Sequence, residues 1–174
     1  MTKAQTQVPT DAPPDTTEVL SNLKKITKLR QHIDNVIAGA WRISQICIEN
    51  GKEEFGRNII ANAYIHDQSK FRGFEWDMLA CPETDNKDLR FLAIKSHREI
   101  NKHHPEHWGG VDMMPEIYLA EMVCDTYARS VEMGTNLREW WKDVGIEKYG
   151  LSKNGKSWKL IKKYIDMILD EEFK

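Results

Sequence analysis

Histidine and aspartate, two side chains that commonly bind metal ions, stand next to each other at His66-Asp67, directly after the apolar run Ala-Tyr-Ile. Lys70 follows three residues later. An adjacent imidazole and carboxylate could cap the end of a helix, or they could hold a divalent metal. A lysine at this spacing places a positive charge about one helical turn from the pair.

All six histidines of the 174-residue chain lie between His32 and His107. Histidines also cluster by chance, so their spacing is the stronger signal. His97, Asn101 and His104 are spaced i, i+4, i+7, so a helix through them would place all three on one face. On such a helix His103 would point away from that face. The pattern predicts that His97 and His104 point inward together.

Two further segments present ligand-type side chains among apolar neighbours. His32 begins a stripe that continues through residues 36–47, and Glu121 and Asp125 lie four apart in LAEMVCDTYA. Burying such charges costs several kcal/mol unless they are paired or bound to metal, so we expect these segments to converge on one site. There are two alternatives. His32 could be an ordinary core histidine, and Glu121 and Asp125 could form ion pairs with basic side chains: Lys24, Arg30 or Arg42.

Helical periodicity continues along the chain, without a β-hairpin signal or an internal repeat. We expect one compact all-α domain of about six to eight helices over residues 16–174, after a disordered tail over 1–15. The predicted helices are a segment from Thr16 with Val19, Leu20, Leu23 and Ile26 on its inner face, a segment from His32 to Asn50, and segments near 53–64, 74–79, 86–104, 115–133, 137–148 and 156–172.

Composition narrows the function classes. The 25 Lys and Arg nearly balance the 27 Asp and Glu, so we expect no binding to duplex nucleic acid. No apolar run approaches the roughly 20 residues that span a bilayer, and the first residues lack the apolar segment of a secretory leader. Three cysteines without a CxxC pair indicate reduced thiols. We therefore expect a cytoplasmic protein.

The order of His32, His66-Asp67 and Asp125, with the motif HDQSK, resembles the HD-domain metal-dependent phosphohydrolases, a superfamily of all-α proteins. The segments HDQSKF, NKHHPEHW and EMVCD are similar to those of small uncharacterised phage and bacterial members. The likeness spans about residues 30–130. One difference is that GGVDMMP stands where the branch that cleaves cyclic dinucleotides carries Gly-Tyr-Pro.

The resemblance implies a role for each candidate residue. The implied metal ligands are His32, His66, Asp67 and Asp125, with His97, His103 and His104 as candidates for a second metal. The implied catalytic residues are Asp67, Lys70, Glu121 and His97, and the implied substrate contacts are Lys70, Asn101, His104 and Trp108. The cofactor is a divalent metal, and this ligand set does not distinguish Mn, Co, Fe, Zn and Mg.

The implied activity is release of phosphate from (deoxy)nucleoside monophosphates by attack of a metal-bound water. Cleavage of deoxynucleoside triphosphates or of cyclic nucleotides on the same fold is an alternative, and a catalytically inactive HD-fold binding module is another. An all-α magnesium pyrophosphatase would leave the histidines unexplained, because Mg prefers oxygen ligands. A diiron bundle of the hemerythrin type would not use a His-Asp doublet. The broad apolar side of the C-terminal region leaves a homodimer open.

Overall fold

The structure, a computed structural model, describes residues 16–80 and 86–169, and in these ranges it contains helices and turns but no strand. This confirms the all-α prediction. The predicted disordered tail over 1–15 and the end of the last predicted helix, 170–172, lie outside the described residues. Within the same ranges, no helix is both long enough and apolar enough to cross a membrane.

Five helices form the frame and shorter segments connect them. In chain order the elements are α1 (Thr16–Glu49), α2 (Glu53–Ile65), a 3₁₀ turn (Gln68–Phe71), α3 (Gly73–Glu75), a π-helix (Trp76–Ala80), α4 (Lys87–Ile100), α5 (Pro105–Trp108), a second 3₁₀ turn (Val111–Met113), α6 (Glu116–Met133), α7 (Leu137–Trp140), a second π-helix (Trp141–Gly145), α8 (Ile146–Lys148) and α9 (Lys156–Leu169). Joining the contiguous segments 73–80 and 137–148 gives eight helices in the described part of the chain, within the predicted range.

The first two predicted helices are in fact one helix, α1, of 34 residues. Its burial begins at His32 and Ile33, and the apolar residues before them are exposed to between 36% and 58%: Val19, Leu20, Leu23 and Ile26. The prediction that these four residues face inward is wrong. Their spacing is that of an apolar helix face, but the core covers only the C-terminal half of α1.

The core forms where α1, α2, α6 and α9 pack together. Val36, Ala40 and Ile43 of α1 are fully buried, and so are Ala120 and Val123 of α6. On α9 the three isoleucines are buried: Ile161, Ile165 and Ile168. This core fixes the positions of α1 and α6, the two helices that carry His32 and Asp125.

The predicted helix over 86–104 is shorter than expected. Asn86 caps it, because its side-chain oxygen accepts from the backbone N–H groups of Asp88 and Leu89. The helix ends at Ile100, however, and Pro105 begins the next one. Residues 101–104 therefore form a turn, and helical spacing does not describe where their side chains point.

Helix α2 approaches α1 closely at Gly56. A Cβ atom there would lie 2.8 Å from a side-chain carbon of Ile48, and the Ser44 hydroxyl donates to the Gly56 carbonyl oxygen at 2.9 Å. The absence of a side chain lets the two backbones come together. The contact sets the direction of α2, which ends at the His66-Asp67 doublet.

Gly56→Ala is expected to destabilise the protein by about 1–3 kcal/mol, because the added methyl group would force α1 and α2 apart. The measurement is the free energy of unfolding in urea. Asn58→Ala, at an exposed position of the same helix, is the control and should change stability little. Equal stability of the two variants would show that this contact does not constrain the helix pair.

Candidate metal centre

The His66-Asp67 doublet follows the last turn of α2 and is buried, with each residue 2% exposed. Asp67 has a left-handed backbone conformation with φ of 56°, the one positive φ among the described residues other than glycine. Aspartate tolerates this region better than most residues do. The conformation turns the chain sharply from α2 into the first 3₁₀ turn, so both side chains enter the interior.

Three side chains from different elements form what we call the first ligand set: His32 on α1, His66 after α2 and Asp125 on α6. One ligand atom from each lies within 4.8 Å of the others. The Asp125 carboxylate oxygen is 3.2 Å from Nε2 of His32 and 3.9 Å from Nε2 of His66. The predicted convergence of these elements is confirmed.

Three histidines form the second ligand set: His97 on α4 with His103 and His104 from the following turn. Their ring nitrogens also lie within 4.8 Å of one another. The prediction that His103 points away is wrong, since it is only 3% exposed and faces the centre. Because α4 ends at Ile100, the turn rotates His103 toward His97 instead of continuing the helical spacing.

The carboxylate of Asp67 lies between the two sets. Its Oδ1 is 3.2 Å from Nε2 of His97 and 3.6 Å from Nε2 of His103. Its Oδ2 is 3.7 Å from Nε2 of both His32 and His66. One oxygen thus faces each ligand set.

Five buried polar atoms around this carboxylate have no hydrogen-bond partner among the described residues. They are Nε2 of His66, His97, His103 and His104, and Oδ1 of Asp67. Leaving such atoms unpaired costs free energy, and a divalent cation is a partner that satisfies imidazole nitrogens and carboxylate oxygens together. The donor set therefore fits a divalent metal.

Three glutamates, which we call the outer carboxylates, contact Nδ1 of four of the histidines: His32, His66, His97 and His103. Nδ1 of His32 donates to Glu132 at 2.6 Å, and Nδ1 of His97 donates to Glu75 at 2.7 Å. Glu121 lies 3.1 Å from Nδ1 of His66 and 3.4 Å from Nδ1 of His103. These contacts fix the tautomer that presents Nε2 to the centre, as in known carboxylate–histidine–metal arrangements.

Sequence reasoning identified Glu121 but missed Glu75 and Glu132. Glu132 follows Asp125 by seven residues, two helical turns, so the same face of α6 already indicated it. Glu75 offered no such signal, because it lies in the three-residue helix α3 where periodicity says little. It is buried, and it also accepts from the Ser69 hydroxyl at 2.7 Å.

The electrostatics keep the acids ionised. Burial opposes ionisation of Glu121, yet hydrogen bonds from His103 and His66 lower its pKa to about 2. The pKa values of Asp67 and Asp125 are also lowered, because the neighbouring histidines outweigh burial. Burial and the nearby His103 lower the pKa of His104 to about 3, so its ring is neutral and able to bind a cation.

The remaining predicted residues occupy different places. Lys70 forms an ion pair with Oδ2 of Asp67 and lines an open cleft of about 1290 Å³ above the centre. Asn101 donates to the His97 carbonyl oxygen at 2.8 Å and to the Ser69 hydroxyl at 3.2 Å, so it braces the turn. Trp108 donates to the Lys102 carbonyl oxygen at 2.8 Å and packs on Tyr118. Substrate contacts from Asn101 and Trp108 stay predictions.

Residues 21–169 match the model of a protein family, described as a family of unknown function (DUF5662). No curated protein and no solved structure matches the chain.

Stability of the metal-free protein should fall as pH rises from about 6.5 toward 9. Burial lowers the pKa of His66, but Asp67, Glu121 and Asp125 together raise it from 6.5 to about 9. A histidine whose pKa is higher in the folded protein than in the unfolded chain stabilises the fold fully at pH values below the unfolded-state pKa. This stabilisation is lost as the pH rises through the folded-state pKa. The measurement is the free energy of unfolding in urea between pH 6.5 and 9, with a chelator present to keep the protein free of metal. His66→Gln should flatten the dependence, and an unchanged slope would contradict the assignment.

Proposed function

We propose that this chain, which belongs to the DUF5662 family, is a metal-dependent phosphohydrolase that removes phosphate from nucleotides, with (deoxy)nucleoside monophosphates as its first substrate class. The observation that carries the proposal is the buried Asp67 carboxylate, which presents one oxygen to each of two ligand sets. A lysine pairs with that carboxylate and faces an open cleft. The order of these residues resembles that of HD-domain phosphohydrolases.

The centre is proposed to hold two divalent ions. His32, His66 and Asp125 would bind one, His97, His103 and His104 would bind the other, and Asp67 would bridge them. The high imidazole content favours Mn, Fe, Co or Zn, since Mg prefers oxygen ligands. When bound, such ions lower the pKa of a water molecule so that it can attack phosphorus, and they polarise the phosphoryl oxygens.

The protein side chains then have distinct tasks. Lys70, whose side chain is 25% exposed, is placed to contact phosphoryl oxygens that enter the cleft and to neutralise their charge. Glu121 orients His66 and His103 and does not itself face the cleft. His97 has one ring nitrogen on Glu75 and the other toward Asp67, which favours a metal-ligand role over the catalytic role that the resemblance implies for it.

The test is phosphate release from a panel of nucleoside mono- and triphosphates, with Mn, Co, Mg or Zn added. Asp67→Asn keeps a residue that tolerates the left-handed conformation but removes the bridging charge, so we expect release to fall at least about 100-fold. Asp34→Asn, an exposed acid of α1, is the matched control and should retain full activity.

Two other outcomes would contradict the proposal. Activity that survives Asp67→Asn would place the chemistry elsewhere in the protein or in a contaminant. Absence of release from every substrate, in protein shown to bind metal, would contradict phosphohydrolysis and favour a catalytically inactive binding module.

The outer carboxylates predict selective metal loss. Glu75 contacts a histidine of the second set alone and Glu132 contacts one of the first set alone. Glu75→Gln should therefore lower the affinity for the ion of the second set by about 10–100-fold and leave the affinity for the ion of the first set unchanged. Glu132→Gln should have the opposite effect. Metal per chain is measured by elemental analysis after dialysis at graded metal concentrations.

Glu53→Gln serves as the control, because Glu53 is an exposed acid on α2 that pairs only with Arg57 among the described residues. It should retain the wild-type metal content. Loss of both ions together in Glu75→Gln and in Glu132→Gln would contradict two separable ligand sets.

A further inference from the structure

The cleft continues beyond the metal centre as an outer groove between the N-terminal parts of α1 and α4. Lys25, Lys28 and Leu29 of α1 line one wall, and Arg90 and Ile94 of α4 line the other. The π-helix Trp76–Ala80 packs against both helices and contributes Leu79 and Ala80 to the lining. The groove is thus lined by cationic side chains from both helices and by apolar side chains between them in the same lining: Leu29, Leu79, Ala80 and Ile94.

The cations on the two walls lie at similar distances from the centre. Lys25 precedes the ligand His32 by seven residues, and Arg90 precedes the ligand His97 by seven. At 1.5 Å per helical residue, each is about 10 Å along its helix from a ligand, and Lys28 is about 6 Å from His32. Positive charge therefore follows the groove for some distance away from the reacting centre.

Three other cations that line the cleft already have acidic partners. Lys70 pairs with Asp67, Arg98 with Glu106 at 3.4 Å, and Arg129 with Glu132 at 2.8 Å. Within residues 16–80 and 86–169, neither Lys28 nor Arg90 forms an ion pair with a carboxylate. The groove therefore has a local excess of positive charge in a chain whose formal net charge is −2.

We propose that the outer groove binds a second phosphate, so that the preferred substrates are short single-stranded oligonucleotides with a terminal 5′-phosphate. This inference rests on the proposed phosphohydrolase function. A nucleoside monophosphate has no charge beyond the attacked group, and a triphosphate keeps its charges contiguous. A phosphorylated dinucleotide instead places its second phosphate one nucleoside away, where the cations lie, and its base and sugar meet the apolar side chains of the lining.

The reaction is hydrolysis of the terminal ester. The oxygen of a water molecule bonds to phosphorus, the bond between phosphorus and O5′ breaks, and O5′ leaves as a hydroxyl with a proton from the attacking water. The products are inorganic phosphate and an oligonucleotide with a 5′-hydroxyl. No oxidant or further reactant is needed.

The experiment compares kcat/KM for thymidine 5′-monophosphate, thymidine triphosphate and the 5′-phosphorylated thymidine dinucleotide. Wild-type protein should favour the dinucleotide over the monophosphate by at least about tenfold. The double variant Lys28→Gln, Arg90→Gln should reduce this ratio to near one. The control Lys24→Gln, Lys95→Gln removes one exposed lysine from each of the same helices, outside the cleft lining, and should keep the ratio.

Equal kcat/KM for the monophosphate and dinucleotide in wild-type protein would overturn the inference and leave the proposed function standing. Preference for the triphosphate over the dinucleotide would also overturn it, because the second phosphate would then lie next to the first. A ratio that survives Lys28→Gln, Arg90→Gln would show that the groove is not responsible.

If no substrate releases phosphate, the proposed function fails and the groove is judged by affinity alone. Calorimetric titration of the phosphorylated dinucleotide should then show at least about tenfold weaker binding to Lys28→Gln, Arg90→Gln than to wild type and to the control. Equal affinities would overturn the groove assignment. The affinity should also decrease steeply with salt if phosphate contacts dominate.

Discussion

A carboxylate buried as deeply as that of Asp67 is stable only when cations or donors surround it, and the arrangement of this fold meets that requirement. Imidazoles from α1, α4 and the adjoining segments approach both oxygens, and Lys70 pairs with one of them. The close contact of α1 and α2 at Gly56 and the core between α1 and α6 hold these elements in place. The packing of the core therefore also determines the geometry of the centre.

Much of this centre follows from periodicity. The apolar stripe that includes His32, and the inward face of α6 that carries Asp125, could be read from the sequence because both residues lie within long regular helices. The inward direction of His103 could not be predicted in this way. Helix α4 ends at Ile100, so helical spacing does not describe where the side chain of residue 103 points. The exposed first half of α1 has a similar cause. A stripe shows which face is apolar, but it does not show how far the core extends along it.

Contacts between distant segments were the least predictable feature. Glu75 and Ser69 meet His97 because the chain after α2 passes through a left-handed aspartate, a 3₁₀ turn and a three-residue helix. None of these short elements has a periodic signature. The cationic groove is also a property of two helices placed side by side, and neither helix carries it alone.

Glu121 links the two ligand sets, because the same oxygen lies near Nδ1 of His66 in one set and of His103 in the other. Any movement of this carboxylate that improves one contact alters the other. Under the proposed two-metal arrangement, an ion that displaced this carboxylate from one set would therefore also affect the other set, and thermodynamic linkage would make the effect reciprocal. Glu121 is thus the shared support of the centre, whereas Glu75 and Glu132 each support a single histidine of one set.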